Sequence, residues 1–183
     1  MSASMPDLPA RARLSDATLA EQTDALAAPL TREPGDLVPL LLFRRAGERF
    51  AVPAPDVQRV FEAMPSRRVP HRDRPAFRGL VAHEGEILLV GSLERLLDLP
   101  TGTASASANA RMIVIGPEAH GWAFEVDAVD GVVRVSASDL GPAPETLRRG
   151  LGTATRLLAR IDGETVAVLQ TEALLRGWEG AAA

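Results

Sequence analysis

The side chains of this sequence that could do chemistry are a few ionisable groups on its predicted strands and turns. Glu84 and Glu86 flank a glycine, and Glu125 stands two positions before Asp127, with Asp130 close behind. Because alternate residues of a strand point to the same face, Glu125 and Asp127 could lie together as a general acid/base pair. Strand-end carboxylates that face water have the same spacing, and this plainer interpretation is the favoured one.

The isolated histidines and the lack of known catalytic motifs point away from an enzyme. His71, His83 and His120 stand in separate segments, and the chain contains no cysteine. A compact zinc site needs ligands at short, regular spacing, so no metal site is expected. The sequence also lacks a glycine-rich phosphate loop, a G-x-G-x-x-G motif and a G-x-S-x-G nucleophile elbow. We therefore expect no catalytic residue and no cofactor.

Positive charge is concentrated in residues 67–78, which carry five arginines. This stretch is interpreted as a solvated loop, with a patch that steers an acidic protein partner as the alternative. The whole chain has a formal net charge of −4. Nucleic acid is therefore not an expected partner, because binding to phosphates needs a basic surface.

Composition is typical of a soluble globular protein. Of 183 residues, 46% are hydrophobic and 24% charged, which allows one domain or two small ones that share a core. Aromatic residues make up only 4%, so the core is expected to be mainly aliphatic. No apolar run approaches the roughly 18–20 residues of a membrane span, and residues 1–12 do not resemble a signal peptide. We expect a cytoplasmic protein without direct membrane insertion.

Glycine-centred hairpins are the elements that position these side chains. Apolar runs flank residues 83–86, where Gly85 supplies the positive φ of a tight turn, and residues 93–97 have helical spacing. The same unit returns around Gly163, and Glu164 then occupies the place of Glu86. The chain is therefore built from two similar halves.

A shorter hairpin precedes each of these units. Residues 40–52 predict two strands joined by a turn, and residues 111–126 repeat them. Residues 55–60 predict one turn of helix with a proline at its start. Val57 and Val60 correspond to Val129 and Val132 in the second half.

These patterns predict a mainly β protein, made of two small antiparallel β-barrels from an internal duplication, with short helices. Residues 1–35 lack alternation and are rich in small and polar residues, so a flexible tail is expected, with a docking helix between Ser15 and Ala27 as the alternative. Residues 36–181 form the predicted domain. It divides into a first barrel repeat over about 38–99, a linker at 101–110 and a second repeat over about 111–178.

Several stretches together resemble the CheW-type chemotaxis coupling proteins. They are residues 41–43, 49–53, 57–60, 75–81, 85–90, 124–132 and 139–145. The resemblance extends from about residue 37 to 178. It implies two five-stranded β-barrels packed on one another and an adaptor without catalysis. Such adaptors hold a CheA-type histidine kinase, through its CheW-like regulatory domain, to the cytoplasmic tips of methyl-accepting chemoreceptors.

Three departures from the family pattern affect the expected binding surface. Glu84 stands where the family usually has an arginine, and Arg59 stands where it often has an acidic residue. We hypothesise that Arg59 and Glu84 form a reversed ion pair, with charged atoms within about 4 Å. Residues 91–93 read Gly-Ser-Leu in place of the usual Val-Asp-Leu.

The resemblance implies a set of partner-binding residues. The predicted contacts are Val57, Arg59, Val60, Gly79, Glu84 and Gly85. Val57 and Val60 could instead belong to the core, and the two glycines could be needed only for the backbone conformation. Arg59 and Glu84 are the better candidates, because charged side chains seldom serve a core.

Other functions remain open at this point. Within the adaptor class, the alternative is a divergent scaffold of a non-flagellar pathway such as pilus motility, surface sensing or cyclic-nucleotide signalling. A small-ligand-binding β-barrel would need an apolar cavity with a few polar groups. A hydrolase would need Glu125, Asp127 and a histidine to converge in a cleft.

Overall fold

The structure is a computed structural model that describes residues 37–70, 76–100, 108–117, 121–144 and 154–182. The predicted tail, residues 1–35, and most of the predicted linker lie outside the described residues, as do His71 and His120. The predicted division into tail, repeats and linker therefore stays a prediction.

The described residues are mainly β, as predicted, with two short helices. The strands are β1 (Leu37–Arg45), β2 (Glu48–Pro53), β3 (Val57–Glu62), β4 (Phe77–His83), β5 (Glu86–Gly91), β6 (Arg111–Ile115), β7 (Trp122–Val126), β8 (Ala128–Ser136), β9 (Leu140–Pro142), β10 (Thr155–Ile161) and β11 (Glu164–Leu169). The helices are α1 (Leu93–Leu97) and α2 (Thr171–Ala182), and 3₁₀ turns occupy Ala54–Asp56 and Ala137–Asp139.

The strands form two sheets. Sheet A has six strands in the order β8-β1-β2-β11-β10-β9, and sheet B has five in the order β3-β6-β7-β5-β4. Most neighbouring strands are antiparallel, as predicted. Each sheet also contains one parallel pair, β2 with β11 in sheet A and β5 with β7 in sheet B.

The two halves of the chain exchange their first hairpins. Sheet A combines β1 and β2 from the first half with β8 to β11 from the second. Sheet B combines β6 and β7 from the second half with β3 to β5 from the first. Each parallel pair joins an exchanged hairpin to the second hairpin of the other half. Neither half therefore completes a sheet from its own strands.

One predicted element is wrong in part. The helical turn expected over residues 55–60 is limited to Ala54–Asp56, and Val57 already begins strand β3, which pairs with β6. A β-bulge between Val57 and Arg59 shifts the register of this pairing. The bulge breaks the alternation of apolar and polar residues, so valines three positions apart imitate helical spacing.

Three of the predicted tight hairpin turns are confirmed, whereas the turn expected at His120-Gly121 lies partly outside the described residues. The first residue of each turn, Ala46, Glu84 or Asp162, has φ between 49° and 54°. Each is followed by a glycine with φ between 81° and 83°. Positive φ at both central residues defines the type I′ turn, whose twist suits two-residue hairpin loops.

Three apolar clusters hold the sheets together. Aliphatic residues from every strand of sheet A form one cluster, with Leu42 and Val166 among its buried members. Sheet B has an equivalent cluster around Val81 and Met112, to which Phe61 is packed. A cluster supplied by all strands of one sheet indicates that the sheet curls around its own interior.

The third cluster lies between the two sheets and contains most of the aromatic residues. The aromatic side chains buried there are Phe43, Phe50, Phe77, Trp122, Phe124 and Trp178. The shared core is still mainly aliphatic, as expected, since thirteen of its nineteen buried residues are Leu, Ile, Val or Ala. Its six aromatic residues distinguish it from the interiors of the two sheets. Large rings bury much apolar area per residue, which suits a contact layer between two sheets.

Contacts with Trp178 and with helix α1 account for Gly91, at the end of β5, and for Ser92, which follows it. The indole nitrogen of Trp178 donates to the Ser92 carbonyl at 3.4 Å, and the indole ring stacks near Trp122 with centroids 5.7 Å apart. A Cβ on residue 91 would lie 2.4 Å from Cε2 of Trp178, so only glycine fits there. The Ser92 hydroxyl accepts from the Arg95 amide at 3.3 Å and caps α1.

Candidate functional site

The predicted contact residues meet where sheet B closes on itself. β3 and β4 lie at opposite edges of this sheet, but two contacts bring them together. The rings of Phe61 and His83 stack with centroids 3.8 Å apart. Arg67, downstream of β3, exchanges two backbone hydrogen bonds with Leu80 of β4, at 2.7 and 2.9 Å. We call the surface formed by β3 and residues 84–86 the β3–turn surface.

An ion cluster dominates the β3–turn surface. Nη1 of Arg59 lies 3.9 Å from Oε2 of Glu84, within the separation expected for the hypothesised pair. The closer partner is Glu86, which accepts a hydrogen bond from Nη2 of the same guanidinium. Sequence reasoning missed this partner, although Glu86 belongs to the same acidic pair. Side-chain exposures are 28% for Arg59, 72% for Glu84 and 57% for Glu86.

The Arg59–Glu86 pair lies at one end of the apolar interior of sheet B. Phe61 and Leu88, two residues further along the same strands, both pack in that interior. The alternation of side chains along a strand therefore places Arg59 and Glu86 on the same side as these two residues. Since both charged groups remain partly exposed, solvent screens their attraction and the pair adds little to stability.

The other predicted contact residues have mixed surroundings. Val57 is half-buried and packs against the shared core, whereas Val60 on the same strand is 39% exposed. Gly79 is buried with φ of 140°, and a Cβ there would lie 2.2 Å from the Arg67 carbonyl oxygen. Gly85 occupies the second position of its turn. The two glycines thus have conformational reasons to be present, and binding by any of the six residues stays a prediction.

A buried arginine that sequence reasoning did not single out ties the two sheets together. Arg45, at the end of β1, is 3% exposed and is surrounded by three carboxylates. Nε donates to Glu94 at 2.7 Å, and Nη1 donates to Asp127 at 2.9 Å and to Glu125 at 3.4 Å. The second carboxylate oxygen of Asp127 accepts from the Ala46 amide at 2.8 Å.

The surroundings lower the pKa of Glu94 and raise that of Arg45, so both side chains stay charged. Burial would raise the pKa of Glu94, but its backbone hydrogen bond and the one from Arg45 outweigh burial and lower the pKa. Burial would likewise lower the pKa of Arg45, yet the Glu94 hydrogen bond and three nearby carboxylates raise it. Glu94 also accepts from the Ser92 hydroxyl at 2.9 Å. The cluster is thus a charged, well-partnered contact.

The arrangement of Glu125 and Asp127 corrects both earlier interpretations of them. They do come together, but around Arg45, and neither is simply a carboxylate that faces water. Arg78 also approaches Glu125, at 3.3 Å. An acid/base pair needs a carboxylate free to exchange protons with a substrate, whereas these two are committed to arginines. The geometry therefore does not favour the hydrolase alternative.

The remaining chemical alternatives gain no support from the described part of the chain. No group of three or more histidines and carboxylates placed to hold a metal ion occurs among the described residues. Buried aliphatic side chains fill the interiors of both sheets, which does not favour a ligand-binding barrel. None of the described helices is both long enough and apolar enough to span a bilayer.

Comparison with known proteins agrees with this fold. Residues 39–178 match the family model described as CheW-like domain. Among solved structures, the crystal structure of the scaffolding protein TtCheW from Thermoanaerobacter tengcongensis is similar, with a TM-score of 0.64 and 19% sequence identity. That match covers 73% of this chain and 88% of TtCheW. No curated protein sequence matches the chain. Because the family model spans most of its length, the chain belongs to the CheW-like domain family.

Proposed function

We propose that this protein is a non-catalytic signalling adaptor that couples a CheA-type histidine kinase to chemoreceptors in a chemotaxis-like two-component pathway. The observation that carries the proposal is the match of residues 39–178 to the CheW-like domain. The similar structure, TtCheW, is described as a scaffolding protein. A scaffold needs exposed binding surfaces on a stiff body, and the two sheets with their shared aromatic core supply such a body.

The β3–turn surface is the proposed contact with the kinase regulatory domain or a receptor tip. Arg59, Val60 and Glu84 are its proposed contact residues, since each is at least partly exposed. Val57 faces the shared core and would act by supporting β3. Gly79 and Gly85 would act by fixing the strand and the turn that present these side chains. The coupling would take place in the cytoplasm, where the kinases and receptor tips of this family act.

A second candidate stays within the same class. The protein would then be a scaffold of a non-flagellar pathway that serves pilus motility, surface sensing or cyclic-nucleotide signalling. The observation that favours this candidate is the ion cluster, because Arg59 and Glu84 carry charges opposite to those usual in the family. A surface with exchanged charges would select a different partner from the same pool of kinases and receptors.

Calorimetric titration tests the proposal directly. The purified protein is titrated with the CheW-like regulatory domain of each CheA-type kinase of its organism, and Arg59→Glu is compared with the wild type. We expect binding to one kinase domain and about tenfold weaker binding for Arg59→Glu. Arg44→Glu is the matched control, because Arg44 is an exposed arginine of sheet A that pairs with Asp130.

The possible results of the titration distinguish the adaptor role from the location of the binding surface. Weaker binding by Arg59→Glu and unchanged binding by Arg44→Glu support both the adaptor role and the β3–turn surface. Equal binding by all three proteins keeps the adaptor role and moves the contact elsewhere. If no kinase regulatory domain binds the wild type, the coupling function is wrong and only membership of the family remains.

A further inference from the structure

We infer that the partner of the β3–turn surface passes over the turn, where it presents a lysine or arginine to Glu84 at the tip and an aliphatic side chain to Ile87 on the outer face of the hairpin. This inference rests on the proposed function and specifies the chemistry of the partner. It is carried by three observations on the hairpin of β4 and β5, which concern its charge, its backbone and its exposed apolar residues.

The first observation is that the turn carries more negative than positive charge. Two carboxylates, Glu84 and Glu86, share one guanidinium, that of Arg59. Arg59 donates its hydrogen bond to Glu86, whereas the Glu84 carboxylate lies 3.9 Å from Arg59 and 3.8 Å from Nε2 of the neighbouring His83, with 72% of its side chain exposed. Both of these contacts are longer than a hydrogen bond, so the exposed side of the Glu84 carboxylate remains accessible to a cation from a partner. A partner that supplies one gains an attraction at little desolvation cost.

The second observation is that the backbone at Glu84 does not favour glutamate. Glu84 has φ of 49°, a left-handed conformation in which asparagine, aspartate and glycine are much better tolerated. The equivalent turn of the second half uses aspartate at this position, Asp162, with nearly the same φ of 52°. The glutamate side chain is longer than the residues that this conformation favours, and 72% of it is exposed. Its reach out of the turn suits contact with a partner.

The third observation is an apolar patch beside the turn. Ile87 is 73% exposed, the largest exposure among the large hydrophobic residues of the described chain. Ala82, its cross-strand partner, is also exposed and lies on the same face of the hairpin. A single exposed isoleucine is ordinary, but alternation along β5 places Ile87 on the face opposite Glu86, so a partner that passes over the tip of the turn can contact both Glu84 and Ile87. The complement is a protein segment with a basic residue and an aliphatic one.

The test is a binding titration that compares the wild type with variants of Glu84 and of Asp162, which occupies the equivalent turn position in sheet A. The probes are the regulatory domains of the organism's CheA-type kinases and fragments of its chemoreceptor cytoplasmic tips. We expect about tenfold weaker binding for Glu84→Gln, with a smaller loss of affinity on addition of salt than in the wild type. Glu84→Lys should bind more weakly still, because it places like charges together.

Asp162→Asn is the matched control, since it removes the same charge from the same turn position in sheet A and should bind like the wild type. Circular dichroism checks that each variant keeps the fold. Equal binding by Glu84→Gln and the wild type, or tighter binding by Glu84→Lys, would overturn the inference while the adaptor role stands. If no kinase domain and no receptor fragment binds the wild type, the proposed function fails, and the inference fails with it.

Discussion

At the scale of single residues, Arg45 is the side chain that connects β1 to helix α1 and to the other sheet. Its guanidinium is almost wholly buried, and the three carboxylates around it belong to α1, β7 and the residue that follows β7. A buried cation of this kind is tolerated only with close partners, because its removal from water is costly. Once the partners are present, the arginine fixes the end of an exchanged hairpin to a helix and to the other sheet.

Loss of this arginine is expected to destabilise the protein severely. We expect Arg45→Met to lower the free energy of unfolding by about 3–5 kcal/mol, since it removes the arginine that pairs with Glu94 and Asp127, while Glu125 keeps Arg78. The measurement is urea denaturation followed by tryptophan fluorescence. Arg44→Met, which removes an exposed arginine one position earlier, should cost less than about 1 kcal/mol. Similar losses for both variants would contradict the structural role of Arg45.

The lowered pKa of Glu94 predicts how the stability of the protein changes with pH. Its pKa in the folded protein is lower than the ordinary value of 4.5, so the unfolded chain binds the proton more readily. The stabilisation is therefore fully present above about pH 4.5 and is lost as the pH falls through the lower folded pKa. Urea denaturation of the wild type and Glu94→Gln across this range should show a difference in stability that shrinks with acidity. A constant difference would exclude Glu94 as the source.

At the scale of elements, the closure of sheet B depends on a close approach between two backbone segments. Gly79 lets β4 run directly against Arg67, in a conformation that residues with a Cβ rarely adopt. The contact matters for the proposed function because it holds β4 near β3, and these strands carry the turn and the arginine of the β3–turn surface.

Addition of one methyl group should disrupt this closure. We expect Gly79→Ala to lower the free energy of unfolding by about 2–5 kcal/mol, as backbone strain and overpacking add together. Thermal denaturation by circular dichroism measures the effect. Gly141→Ala on β9 is the control, because a Cβ there meets nothing within 4 Å. If Gly79→Ala were as stable as its control, the close approach to Arg67 would be incorrect.

The elements also show which parts of the fold were predictable. Turns such as Glu84-Gly85 were predictable because a glycine between two apolar runs determines a tight turn by local chemistry. Strand β3 was partly missed, since its bulge removes the period of two on which strand prediction depends. The Arg45 cluster was not predictable, because its partners come from distant parts of the chain and an arginine at the end of an apolar run usually faces water. The Arg59–Glu84 pair followed from comparison with a family pattern, whereas Glu86 as the closer partner depended on side-chain reach.

At the scale of the whole molecule, the exchange of hairpins makes the two halves depend on each other. The sequence repeat could not reveal the exchange, since the repeated pattern is the same whether a hairpin packs within its own half or in the other. In the structure, β2 pairs with β11 and β7 pairs with β5, so each half completes the sheet of the other. Trp122 of β7 and Trp178 of α2 then meet in the shared core.

This dependence can be tested with separated halves. We expect fragments of residues 37–100 and 108–182 to be unfolded when each is produced alone, because each would expose unpaired strands and half of the aromatic core. An equimolar mixture should recover the β-sheet circular dichroism spectrum and the buried tryptophan fluorescence of the intact domain. A fragment that folded alone into a stable monomer would contradict the exchanged arrangement.

The exchanged hairpins also suggest how such a protein could arise. A half-length ancestor that traded its first hairpin with an identical copy would form the same two sheets as a symmetric dimer. Fusion of two such genes in tandem would then preserve every interface without any new contact. Afterwards the two copies of each position would be free to diverge, so that one turn could keep aspartate while the other acquired glutamate. Asymmetry of this kind would let a single chain offer different faces to different neighbours, which an exact dimer cannot do.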